Sequence, residues 1–439
     1  MEEEYEVIII GAGISGVALT YVLTKYSNIT KIALVEKENK VAQINSNTYS
    51  NSQTLHFGDI ETNYKFEKAK KVKRAADLVK NYVLKNDRKK ETYSKYHKMV
   101  LAVGKEQVSD LDKRYEEFKT LFPSLKKIGR KELAILEPNV LKGRSESEAL
   151  LALYSEDGYT IDYQKLSESF LENARKENKN LEIYLGEKVT NIWDESSIWR
   201  VKTANRMLSA RILIVCAGAH SLLMAKRLGY GIDYSLLSVA GSFYFAPNML
   251  NGKVYTMQID KLPFAAIHGD PEVHDKKKTR FGPTAKVLPM LERHRYKTIY
   301  EYFKSAGIDL ATLKSFAKIL SDKTLASYMA TQFLYDLPVI GKKLFIKEVK
   351  KIVPTINLPD LKKAKGYGGV RPQIVNKKTR SLDMGEAKII GEKAIFNITP
   401  SPGASTCLKN AEDDAKKIVE WLGSKYIFDN KRFKKDLED

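Results

Sequence analysis

The chain has 439 residues, 43% of them hydrophobic and 29% charged. That is too long for one compact core, so two intertwined domains are expected, and the composition excludes a disordered or fibrous chain. Two cysteines, Cys216 and Cys407, exclude a disulfide framework and fit a reducing compartment. No apolar run approaches the ~20 residues of a bilayer span, and the acidic opening MEEEYEVIII lacks the positive n-region of an export signal.

The charge balance is basic: 74 Lys+Arg against 54 Asp+Glu, a net +20. The lysines do not gather in one tail, and no zinc-finger, RRM or basic-zipper pattern is present, so no nucleic-acid partner is expected. A solvated basic surface, an anionic membrane and an anionic substrate remain.

In chain order, residues 7–16 read VIIIGAGISG. The apolar, β-branched run predicts a buried parallel strand, and Gly11, Gly13 and Gly16 follow it in GxGxxG spacing. VALTYVLTK predicts a helix, and KIALVEK a second strand ending at Glu36. Each glycine has a physical role. Gly11 makes the tight turn, Gly13 lets backbone approach a pyrophosphate, and Gly16 permits close helix–strand packing. The helix N-terminus favours phosphate charge, and Glu36 can accept from a ribose hydroxyl. Strand, glycines, helix, strand and acid in register predict a dinucleotide site.

The loop SNSQTLHFGDIETNY (50–64) has neither helical nor strand period but is dense in hydrogen-bonding groups. Residues 67–144 are strongly charged and predict an inserted helical region with solvated faces. LEIYLGEKVTNIW (181–193) alternates like a strand pair, with Val189 near its middle. ARILIVCAGAHS (210–221) predicts a late strand returning beside the dinucleotide, followed by a small-residue turn at Ala217 and Gly218. Residues 231–363 carry predicted strands (VAGSFYFAP, KVYTMQID, KLPFAAIHG) and then helices. Within 309–335, Leu313, Phe316, Leu320, Leu325, Met329 and Phe333 recur at near-helical spacing with lysines between them. Core packing and a basic amphipathic face on an anionic membrane both fit that pattern. Residues 394–422 read as strand, Pro-Gly loop and amphipathic helix, with Ser401 or Ser405 as cap; a loop at a helix N-terminus again makes an anion or carbonyl site.

Several of these segments together resemble one family. VIIIGAGISG, the His56 loop, YSEDGYTIDYQKL (154–166), VCAGAHS, PFAAIHGDPE…RFGPTA (263–285), GYGGVRPQI (366–374) and FNITPSPGAS (396–405) are similar to the FAD-dependent oxidoreductases of the D-amino-acid-oxidase superfamily, and within it to the malate:quinone oxidoreductases. L-2-hydroxyglutarate dehydrogenases are a close second resemblance. The loop SQTLHFGD departs from the malate:quinone pattern, in which small residues commonly flank the histidine, and the charged HDKKKTR run before FGP is a further departure.

The resemblance implies an α/β chain: a discontinuous Rossmann-like FAD-binding domain (1–66, 145–230 and 364–439), the 67–144 insertion, and an α+β substrate domain (231–363) whose mixed sheet roofs the flavin. It implies an enzyme that oxidises L-malate, a 2-hydroxy dicarboxylate, and passes electrons to a membrane quinone, seated peripherally on the cytoplasmic face of the cell membrane. The cofactor set is then Gly11, Ala12, Gly13, Ser15, Gly16, Glu36, Lys37, Ser52, Gln53, Thr54, Val189, Ala217, Gly218, Pro402, Gly403, Ala404 and Ser405; no metal is expected.

Oxidising a 2-hydroxy acid removes a hydride and a hydroxyl proton, so the site needs a base and a carboxylate clamp beside the flavin. Histidine suits the base. Of six histidines, His268, at a strand end before Gly-Asp, is the first candidate and His56 the second, while His220 reads as structural near the cofactor and His97, His274 and His294 as surface. Arg371, framed by glycines and a proline, can fork onto a carboxylate. Arg280 and the Gln53 amide are candidates for the second carboxylate. Two other functions fit less: another 2-hydroxy-acid dehydrogenase, and a basic FAD-binding module that acts on RNA.

Overall fold

The computed structural model describes residues 3–87, 89–178, 180–258, 267–275, 277–335, 337, 339–383, 387–398 and 402–439. Most of the expected strand 261–269, and Ser401, lie outside the described residues.

Strand β1 (Glu3–Ile10) is the predicted apolar strand, and its Val7–Ile10 stretch is buried because both flanks are occupied. It pairs in parallel with β2 (Ile32–Val35), from Val7↔Ile32 to Ile10↔Val35, and on its other side with Met207–Val215. Leu181–Tyr184 adds in parallel to β2, and Ala394–Ile398 adds in parallel to the late strand. A hairpin, Asn191–Glu195 with Ile198–Lys202, pairs antiparallel with the start of the late strand and branches from the sheet there. Helix α1 (Ile14–Tyr26) follows the glycine turn and packs against helices Tyr163–Glu177 and Cys407–Leu422. Its residues are buried nearly all round, the pattern of a helix with protein on every side.

A second eight-stranded sheet runs Lys362–Lys363, Tyr244–Pro247, Lys278–Gly282, His268–Pro271, Lys253–Thr256, Tyr93–Val103, Leu150–Ile161, Lys126–Ile128. It is mixed, since Lys253–Thr256 lies parallel to Tyr93–Val103. A four-stranded sheet pairs Tyr234–Ala240 with Val370–Asn376, antiparallel from Tyr234↔Asn376 to Ala240↔Val370. Four helices lie between its strands along the chain: Thr298–Ala306, Leu310–Ser321, Lys323–Leu334 and Ile340–Val349.

The helical expectation for residues 67–144 is corrected. Phe66–Asn86 and Lys105–Phe118 are helices, but the eleven residues Tyr93–Val103 form a central strand of the second sheet. The reason is local: Lys95 and its neighbours leave the first half partly exposed, whereas Met99–Ala102 is a continuous apolar run buried between two partner strands. Two boundaries move with it. Leu150–Ile161, expected in the cofactor region, belongs to the second sheet, and Val370–Asn376 pairs with Tyr234–Ala240.

Candidate active site

A single long cleft opens at the carboxyl ends of β1 and β2, about 1620 Å³ with its solvent mouth included. This is where ligands bind in open parallel sheets. Gly11, with φ of +102°, makes the turn out of β1; a Cβ there would stand 2.5 Å from the Cys216 carbonyl oxygen. A Cβ on Gly16 would meet the Gly11 oxygen at 1.9 Å, so α1 can approach β1 only with glycine at that position. A Cβ on Gly13 would find nothing closer than Ser46 Oγ at 3.4 Å; its bareness faces the cleft. No acidic side chain occupies the first turn of α1, and the Ile14 amide donates to Ser46 Oγ at 3.0 Å.

Glu36 closes this end. Its Oε2 accepts from the Ala12 amide at 2.6 Å and its Oε1 from the Glu38 amide at 2.9 Å. Burial raises its pKa, and the two amides oppose that shift. Lys37, expected to touch cofactor, lines the cleft but is ion-paired to Glu292, while Arg295 reaches Glu38. The segment 292–295 is thus strapped to the end of β2. These groups fit a dinucleotide: glycine backbone and a helix start for the pyrophosphate, a fixed carboxylate for the ribose.

The opposite end is built by the loop after β2. Ser52, Gln53, Thr54 and His56 all line the cleft. Gln53 sits at φ +56°; its Nε2 is used on the Thr48 carbonyl at 3.0 Å, and its buried Oε1 has no hydrogen-bond partner among the described residues. One of the two N–H donors of the amide expected to reach substrate is therefore engaged within the loop. The loop is tied to the segment before helix Cys407–Leu422: Ser405 Oγ accepts from the His56 amide at 3.0 Å, and Tyr163 donates to the Thr54 carbonyl at 2.9 Å. Pro402, Gly403, Ala404 and Ser405 wall the cleft beside it. The helix starts after Thr406 as N-cap, whose side chain makes no capping bond, so the expected cap at Ser405 is not the N-cap.

His56 has a partner that sequence reasoning missed. Its Nδ1 lies 2.6 Å from Glu61 Oε1, and Glu61 also accepts from the Gly58 amide at 2.8 Å. Burial pushes the Glu61 pKa up, but the His56 bond and charge, with Lys98 nearby, hold it down at about 2. An ionised carboxylate can only accept, so Nδ1 donates in this pair, and the ring's other nitrogen, Nε2, is not used on Glu61. The spacing His56-Phe-Gly-Asp-Ile-Glu61 was the available signal.

His268 is corrected. It does not line the cleft; its ring stacks on Tyr255 at 4.4 Å, and the Tyr255 hydroxyl bonds Thr54 Oγ1 at 3.0 Å, so Thr54 and Tyr255 stand between it and the cleft. Strand position predicts a polar tip, but not that an aromatic ring covers it. Arg280 is corrected too. Its Nη2 donates to Asp270 at 2.9 Å and to the Ser52 carbonyl at 2.7 Å, and Lys253 meets the same carboxylate at 3.1 Å. Burial pushes the Asp270 pKa up, but these two cations hold it well below the usual range. Arg280 is a fixture of the His56 loop. Ala12 and Gly16 serve packing and the Glu36 bond and do not line the cleft.

Arg371 lines the cleft, half-buried at the start of strand Val370–Asn376. Among the described residues no carboxylate pairs with it. Burial lowers its pKa, partly offset by Tyr328 nearby. Loop 45–50 braces this spot: Val370 donates to Asn45 Oδ1 at 3.1 Å and Gly368 to the Tyr49 carbonyl at 2.7 Å. Val189, Ala217 and Gly218 also line the cleft, Val189 from the loop between two strands. Cys216 is buried at its floor with a pKa raised to about 12 by burial. Of the remaining histidines, His220 lines the cleft and bonds Glu301 at 3.0 Å, while His97, expected at the surface, is mostly buried against Glu137 at 2.8 Å.

A Rossmann-like parallel sheet with a glycine turn, and a second, mixed sheet, are the architecture of a dinucleotide-binding oxidoreductase. Comparison with solved structures agrees on the fold: the FAD-bound L-α-glycerophosphate oxidase of Mycoplasma pneumoniae superposes with a TM-score of 0.66 at 18% identity, over 95% of each chain. Residues 3–413 match the malate:quinone oxidoreductase family model. The chain is 44% identical to a probable malate:quinone oxidoreductase of Campylobacter jejuni over 99% of both chains. It is 42% identical to the malate:quinone oxidoreductase of Helicobacter pylori over 100% of this chain and 98% of that one. The chain belongs to the malate:quinone oxidoreductase family.

Proposed function

We propose that this chain catalyses the reaction its family is named for, oxidation of L-malate to oxaloacetate with quinone as electron acceptor, and that FAD is the cofactor. The observation that carries the reading is Arg371: a half-buried guanidinium in the cleft, beside the expected flavin site, with no carboxylate among the described residues. A buried, unpaired cation is costly, and a substrate carboxylate satisfies it in bidentate fashion. Bound FAD would supply the hydride acceptor and carry the electrons onward to quinone.

The chain's own residues do the rest. His56 takes the C2 hydroxyl proton at Nε2, and Glu61 holds the ring in the required tautomer and stabilises the imidazolium that results. Arg371 fixes the C1 carboxylate and so aims the C2 hydrogen. Arg280 and Tyr163 act at one remove, holding the Ser52 and Thr54 carbonyls and thereby the loop that carries His56. Because the acceptor is lipid-soluble, the reading includes a peripheral seat on the cytoplasmic face of the membrane. No described helix is long and apolar enough to cross a bilayer.

The test is anaerobic. The yellow protein is mixed in turn with L-malate, L-2-hydroxyglutarate and L-lactate, and the visible flavin band is followed. Rapid bleaching by malate is expected. Bleaching by another acid alone would replace the substrate, and a colourless protein that binds no FAD would sink the reading.

A further inference from the structure

Of the four helices between Thr298 and Val349, Leu310–Ser321 and Lys323–Leu334 bury polar side chains and expose large apolar ones, whereas Thr298–Ala306 and Ile340–Val349 bury Tyr302, Phe345 and Val349 on their inner sides. In Leu310–Ser321, the fully buried positions are Thr312 and Ser315, satisfied through the Gly307 and Ala311 carbonyls at 2.7 Å, whereas Leu310, Leu313 and Leu320 face outward, 67%, 54% and 48% exposed. In Lys323–Leu334 the one buried residue is Gln332, bonded to the Ala285 amide, and Phe333 is 63% exposed. Eleven of the nineteen exposed large apolar side chains among the described residues lie between Tyr296 and Ile340. A solvated helix has the opposite arrangement, and a contiguous apolar patch marks an interaction surface.

Charge identifies the partner. Lys297, Lys314, Lys323 and Lys343 stand exposed among these side chains. The acids described in the segment are each engaged: Glu301 on His220, Asp309 on Lys377, Glu348 on Lys351, and Asp322 as a helix N-cap. Tyr296 also borders a second cleft of about 980 Å³ with its solvent mouth included, lined by Lys286, Arg293, His294, Lys363 and Lys365 and, among the described residues, by no acidic one. Outward leucines and aromatics set among lysines, beside a basic cleft, are the combination that inserts into an anionic lipid interface. The inner side of the same unit reaches the active cleft, since Tyr328 lies close enough to Arg371 to feel its charge.

We infer that helices Thr298–Ala306, Leu310–Ser321, Lys323–Leu334 and Ile340–Val349 form the face on which this protein docks to an anionic phospholipid bilayer, with acidic headgroups received in the Lys286–Arg293–Lys365 cleft. The inference rests on the proposed membrane seat and names its surface. Docking on this face sets the Arg371 end of the cleft toward the lipid phase, from which a lipophilic acceptor arrives.

The test uses the full-length flavin-loaded protein and vesicles of phosphatidylglycerol with phosphatidylcholine, or of phosphatidylcholine alone. The native protein should sediment with the anionic vesicles and be released by salt. The triple variant Leu310→Glu, Leu313→Glu, Phe333→Glu should lose ~10-fold or more in partitioning, because each substitution withdraws apolar area and adds a repelled charge. The variant Ile232→Glu, an exposed apolar site outside this face, should bind like native protein. Turnover of malate with a water-soluble dye should stay unchanged in the triple variant, while turnover with quinone embedded in vesicles falls. Equal binding of the triple variant and native protein overturns the assignment. So does a native dimer in solution that the triple variant disperses, which would give the face to a second copy. Unchanged headgroup dependence in a Lys286→Glu, Lys365→Glu variant removes the cleft from it. Vesicle binding without malate-driven flavin bleaching would instead fault the enzymatic reading and leave the surface standing.

Discussion

Two helices of this molecule, α1 and Leu310–Ser321, are of similar length and both are rich in apolar residues, yet they are used in opposite ways. Eleven residues of α1 are buried, because a sheet and two helices surround it. Three residues of Leu310–Ser321 are buried, and its leucines point away from the protein. The lesson is that apolar spacing reports an amphipathic helix but not which medium its apolar side meets. In α1 that medium is the cofactor domain's interior; in the outer helix it is outside the chain altogether.

The sharpest way to break the comparison is to place one charge in each helix. Val22→Glu in α1 buries an unpaired carboxylate in a filled core, so a loss of more than ~4 kcal/mol and little folded, flavin-bearing protein are expected by thermal melting. A soluble Val22→Glu variant with native melting would show that α1 is not the packed element described. His56→Ala should slow flavin reduction by ~10²–10⁴-fold in anaerobic stopped flow, with FAD content kept. Native-like reduction would exclude His56 as the base.

Arg371→Ala should lower kcat/KM for malate by roughly 10–100-fold, mostly through KM, from loss of a charge-assisted bond of about 1.5–3 kcal/mol. Arg371→Lys should restore only part of it, because lysine lacks the fork. A variant with unchanged KM would move the clamp elsewhere.

Glu61 gives a pH signature. Its pKa in the folded protein lies below its ordinary 4.5, at about 2. The stabilisation it contributes is therefore present above pH 4.5 and lost as pH falls through that interval toward 2. Native protein should lose more stability than Glu61→Gln between those values in acid-unfolding titrations; parallel curves would mean the His56–Glu61 bond is not formed. The smallest effect belongs to the outer helix: Leu313→Glu should leave the melting temperature within a few degrees of native, since surface substitutions usually fall within about ±0.5 kcal/mol. A large drop would mean Leu313 is packed.

What is legible in the sequence is what is contiguous in it. The strand, glycine turn, helix, second strand and Glu36 occur within one stretch, and each local requirement points to the same unit. The polar loop around His56 declares itself by having no period. Arg280 reads as a free clamp in one dimension although its partner Asp270 is ten residues upstream, in the neighbouring strand; pairing across a sheet has no one-dimensional signature. The same holds for Lys37 and Glu292, which meet across 255 positions. His268 misleads because the end of a strand fixes a residue's height in the sheet but not what covers its ring. In Tyr93–Val103, the density of lysines around an apolar run masks a central strand.

The tie between His56 and Ser405 bears on how the protein is made. The amide of His56 is held by a side chain 349 positions later, and Pro402–Ser405 form the wall that faces it. At translation rates of ~5–20 residues per second, the glycine turn and the His56 loop leave the ribosome ~20–70 s before that wall exists. The two walls of the cleft therefore come together only after residue 405 has been made, so the closed cleft is a property of the nearly finished polypeptide and not of its first half.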